Sequence, residues 1–86
     1  MEKNQAIERV RQVKARHEKV LMRLANVVGV GVGFKEKDNL ATNQLAIIVN
    51  VAEKKMLSDL APKDVIPSEL DGVAVDVQEV GEIRAI

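Results

Sequence analysis

The chain has 86 residues, with 13 Lys plus Arg against 13 Asp plus Glu, one His, one Phe and no Cys, Trp or Tyr. That length has room for a single domain, residues 1–86, burying only about 60 to 65% of its unfolded surface, and without Cys there is neither a disulfide framework nor a thiolate metal site. The longest run free of charged and polar residues, Val27 to Phe34, carries three glycines and is too short for a membrane span or a signal peptide, so a soluble cytoplasmic protein is expected.

Residues 1–25 contain no Gly or Pro, and Ala6, Val10, Val13, His17, Val20 and Leu24 recur at alternating steps of four and three, with Ile7 and Leu21 widening the stripe. This spacing predicts an amphipathic helix over 1–25. After Asn26 the period drops to two: Val28, Val30, Val32 and Phe34 share one face of a strand, and Gly29, Gly31 and Gly33 share the other. Lys35 to Asn43 reads as a loop. Gln44 to Ala52 follows as a strand apolar on both faces, hence a central one. Glu53 to Leu60 is expected to form a short helical turn, Pro62 and Pro67 mark irregular chain, and the Asp71-Gly72 turn opens a third strand, Val73 to Val80. The fold class is therefore α+β: one long N-terminal amphipathic helix, residues 1–25, packed on a sheet body, residues 26–86. The sheet is expected to be three-stranded and mostly antiparallel, with a short helix before the last strand.

The glycines do not make a nucleotide site. A dinucleotide fingerprint needs Gly-x-Gly-x-x-Gly turning from strand into helix, whereas here the third glycine comes one residue early and the chain continues as strand. Gly29, Gly31 and Gly33 instead leave one sheet face flat, so that another backbone can approach. His17, the single imidazole, lies on the helix stripe and reads as a packed residue, with a pH-sensitive contact as the alternative. A metal site would depend on scattered carboxylates such as Asp59, Asp64 and Glu69, so neither metal nor cofactor is expected. Thr42, Ser58 and Ser68 are the hydroxyls, and no serine sits in a nucleophile-elbow context, so the chain is read as non-enzymatic.

Charge is divided unevenly. Residues 1–25 carry seven basic and three acidic residues, a balance of +4, while the remaining 61 residues balance to −4. Arg9, Arg16 and Arg23 recur every seven residues as a row along the helix. Nucleic-acid binding through that row is a third-ranked reading, because the acidic body opposes it and aromatic surface for base stacking is lacking. A helix of 24 residues is roughly 36 Å long, longer than a 60-residue body of about 27 Å, so part of its apolar stripe is expected to overhang and meet a second chain.

Residues 26–84 also resemble a segment that precedes the catalytic domain in bacterial trypsin-like serine protease family proteins. The matching text is Val27-Val28-Gly29-Val30-Gly31-Val32-Gly33-Phe34-Lys35, then Ala46-Ile47-Ile48-Val49 followed by Glu53-Lys54-Lys55. Ile66-Pro67, Asp71-Gly72-Val73, Asp76-Val77 and Val80-Gly81-Glu82-Ile83 complete it. The resemblance implies an accessory module without its enzyme, since the chain stops at Ile86 and no catalytic position carries over.

These readings converge on a non-enzymatic protein–protein interaction module that self-associates. Its interface candidates are Val10, Val13, His17, Val20 and Leu24 on the helix and Gly29, Gly31 and Gly33 on the sheet. A propeptide-like or regulatory partner for a protease-related protein encoded elsewhere is the alternative, and no membrane partner is expected.

Overall fold

A computed structural model describes residues 3–38, 40–55 and 60–81. One α-helix, α1 (Lys3–Met22), is followed by four strands: β1 (Val27–Lys37), β2 (Leu40–Val51), β3 (Glu69–Leu70) and β4 (Val73–Glu79). They form one mixed sheet in the order β1-β2-β4-β3. The fold is α+β with one N-terminal helix, but the sheet differs from expectation in its number of strands. It has four strands, not three, and its central pair, β2 and β4, is parallel, with Ile47 beside Val75 and Val51 beside Glu79. The added strand is β3, which folds back antiparallel on β4 through a two-residue turn at Asp71-Gly72. Both turn residues have positive φ, +50° and +81°, the geometry that matches a hairpin's twist and that Asp and Gly tolerate. Of the short helix expected over Glu53 to Leu60, residues 53–55 are irregular and 56–59 lie outside the described residues; a 3-10 turn, Pro62–Asp64, stands further along.

The hairpin of β1 and β2 also runs longer than the polar composition of Lys35 to Asn43 implies. Strand pairing continues to Lys37 opposite Leu40, and Asp38, just beyond Lys37, has φ +53°. These residues lie beyond the core, so the alternation of apolar side chains that marks a half-buried strand is not required of them. An irregularity follows Phe34, where the Thr42 hydroxyl donates to the Lys35 carbonyl at 2.7 Å and accepts from the Gln44 amide at 3.2 Å.

The core lies between α1 and one face of the sheet. Val10, Val13 and Leu21 of the helix meet Ile47, Val49 and Val51 of β2 and Val73 and Val75 of β4, with Val30 and Val32 of β1 beside them. Full burial of one such side chain stabilises by about 1.5 to 3 kcal/mol. Leu21 rather than Val20 closes the stripe. Leu21 is 3% exposed, whereas Val20 is left 60% exposed. The helix spans about 30 Å in a molecule whose longest extent is 38 Å.

On the opposite face Ala46 and Ile48 are buried as well, as a central strand requires. Ile48 fills the space beside β1 that the glycines leave: a Cβ on Gly33 would stand 3.1 Å from Ile48 Cγ1. Behind β2 the far end of β1 reaches toward β4, where the Glu36 amide donates to Asp76 Oδ2 at 2.9 Å.

Candidate functional site

Two polar clasps fix the helical segment to the sheet, one along α1 and one at the corner that follows it. The first gathers on Asp71, in the β3–β4 turn. Arg16 Nη1 reaches Asp71 Oδ2 at 2.6 Å, His17 Nε2 reaches the same oxygen at 2.9 Å, and Arg9 Nη2 donates to the Asp71 carbonyl at 2.9 Å. Arg9, Arg16 and His17 are seven and eight residues apart, so helical periodicity puts them on one side of α1. Against an ionised carboxylate, His17 Nε2 must carry the proton. The hydrogen bond from His17, then that from Arg16, holds the Asp71 carboxyl below the ordinary aspartate range.

The second clasp is Asn26, at the corner between α1 and β1. Its φ of +73° turns the chain, a conformation Asn tolerates better than most residues. Its backbone carbonyl accepts from the Ala52 amide at 3.0 Å, its side-chain oxygen accepts from the Glu53 amide at 3.1 Å, and its Nδ2 donates to the Glu53 carbonyl. Next to it the Asp64 carboxylate accepts from the Ala25 amide at 3.1 Å. A cleft of about 310 Å³ opens at this corner, with Val51, Ile66 and Val77 in its wall. Asn26 and Asp64 line it too, and both are already engaged in these bonds.

The sequence-derived candidates are placed as follows. Val10 and Val13 are buried against the chain's own sheet, and Leu24 packs half-buried beside them, while Val20 faces outward. His17 is half-buried on Asp71. Of the basic row, Arg9 and Arg16 converge on Asp71, and Arg23 is exposed and makes no ion pair among the described residues. Gly33 lies under Ile48 and Gly29 beside Asn50, whereas a Cβ at Gly31 would meet nothing within 4 Å. Asn26 and Asp71 are absent from the candidates drawn from the sequence. An Asn one residue before an abrupt change of period, and an Asp-Gly pair, are the signals that mark them.

The third feature is the outer edge of β1. β1 is the terminal strand of the sheet. Among the described residues, the backbone of residues 28–34 has no hydrogen bonds other than those made with β2. No group of three or more metal-ligating side chains occurs among the described residues, and no described helix is long and apolar enough to cross a membrane.

Fold and contacts together define a small two-layer α+β domain: a basic helix clasped by hydrogen bonds and ion pairs over a sheet with one long edge unpaired among the described residues. The chain belongs to the NARROW LEAF 1 N-terminal domain family, whose family model matches residues 3–80. This plant family overturns the resemblance to a segment of bacterial trypsin-like serine proteases. The short Val-Gly and Ile-Val stretches behind that resemblance also satisfy the general needs of a paired strand, whereas the family match extends through the helix. No curated protein matches the chain.

Proposed function

We propose that this domain is a non-enzymatic, cytoplasmic protein–protein interaction module that works by self-association. The observation that carries the reading is the free edge of β1, an 11-residue strand. Soluble proteins protect such edges with short strands, proline, charge or a covering element. From Gly29 to Phe34 β1 has no proline and no charged residue. A backbone edge of this kind binds another strand through main-chain hydrogen bonds and needs no catalytic or metal-binding side chain. Phe34 and Leu40, on the same hairpin, are exposed as well, at 45% and 72%. The opposite net charges of residues 1–25 and of the remainder favour the approach of two copies.

The test is the solution mass by light scattering across a range of concentration near neutral pH. The reading predicts a mass of at least twice 9.4 kDa that falls on dilution. A mass of 9.4 kDa at every concentration overturns it.

A further inference from the structure

We infer that the second copy pairs with β1 antiparallel to it, on a two-fold axis through Gly31, joining the two sheets into one; this rests on the self-association proposed above. The argument begins with the order of residues in the strand. Reading outward from Gly31, Val30 matches Val32, Gly29 matches Gly33, and Val28 is answered by Phe34. A two-fold antiparallel pair sets each residue opposite its mirror position, so from Gly29 to Gly33 the segment meets its own copy Val on Val and Gly on Gly, with Val28 facing Phe34 beyond. A centre at Val30 would set Val27 against Gly33, and a centre at Val32 would set Gly29 against Lys35.

Local geometry selects the same centre. The pairing of β1 with β2 is irregular at Val28 and again beyond Phe34, so the regular stretch of strand is centred near Gly31. At Gly31 itself nothing stands within 4 Å of a would-be Cβ, so a side chain introduced there has room on the sheet face. Charge agrees with this register. Lys35 falls opposite Val27 of the other copy, and no charged residue of β1 faces its own kind.

Gly31→Lys and Gly31→Glu test the axis directly, because the open space at this position admits either side chain in the isolated chain. Each variant alone sets two like charges across the axis and should give a mass of 9.4 kDa by light scattering with an unchanged circular-dichroism spectrum. Mixed in equal amounts, the two should recover the mass of the wild-type assembly. Because the chain has no cysteine, Gly31→Cys supplies a separate readout that keeps the native charge. Residues facing each other across an antiparallel pair have Cα atoms about 4.5 to 5.5 Å apart, within disulfide range, so mild oxidation should give a covalent dimer. An assembled wild type whose mass survives both charged variants, or whose Gly31→Cys form does not cross-link, places the contact on another surface and overturns the register. A strand from a different protein on this edge would leave the wild type monomeric, and that overturns both this register and self-association.

Discussion

At Asn26 the backbone and the side chain do separate jobs, and substitutions separate them. Asn26→Gly keeps the left-handed corner but loses both side-chain hydrogen bonds to Glu53, whereas Asn26→Ala loses the bonds and strains the corner. Chemical denaturation should show Asn26→Ala to be the worse by about 1 kcal/mol. Equal losses would mean that the corner does not require positive φ. Asp71 makes a prediction in pH. Its carboxyl is held below the ordinary range in the fold, so its stabilising contribution is complete above that range and is lost as pH falls through the lowered value. Asp71→Asn keeps a residue that tolerates the turn and removes the charge. Its melting temperature should lie below that of the wild type at neutral pH and converge with it in acid; a gap that persists in acid would place the effect in the turn and not in the ion pair. Neither role is visible in composition or periodicity, because each depends on what the fold brings opposite. His17 was legible as a residue of the helix stripe, but its partner stands 54 positions away.

The helix illustrates how far a hydrophobic period reaches. Its existence and its burying face follow from the spacing of Val10, Val13 and His17, yet Val20 and Leu21 at its end stand about 100° apart, on either side of the stripe that Val10 and Val13 define, and the period alone does not choose between them. Val13→Ala removes buried methyl groups at a fully enclosed position and should cost about 2 kcal/mol. Val20→Ala should change stability by less than about 0.5 kcal/mol. A reversal of that order in urea unfolding would mean that the helix is rotated. The strands were legible where one or both faces are buried, as in Ala46–Val49 and Val73–Val77. They were not legible where the hairpin outruns the core, at Lys35–Lys37, or where a strand is only two residues long, as in β3. The parallel pairing of β2 with β4 leaves no local mark, since it is set by how the intervening chain crosses over. Glycines within β1 differ in the same way. Gly31→Ala meets open space and should be neutral or stabilising, whereas Gly33→Ala pushes on Ile48 and should destabilise. Equal melting temperatures for the two variants would show that Ile48 moves aside freely.

For the whole molecule, the apolar face of the helix is satisfied internally, and the proposed self-association therefore rests on the sheet edge and not on the helix stripe. Val10 and Val13 meet β2 and β4 within one chain, and the long strand left without an outer neighbour is β1. Flat, glycine-bearing sheet was legible as a place where a backbone approaches. Ile48 and the returning end of β1 account for part of that approach within the chain, and the outer edge is left for another. Amide hydrogen exchange of the wild-type protein, followed residue by residue at low and high concentration, tests the edge directly. Amides of β1 that point away from β2 should exchange fast when dilute and become protected as concentration rises, while those of Ile47–Val51 in β2, already paired on both sides, stay unchanged. Protection in residues 29–33 that is the same at all concentrations would contradict assembly through this edge.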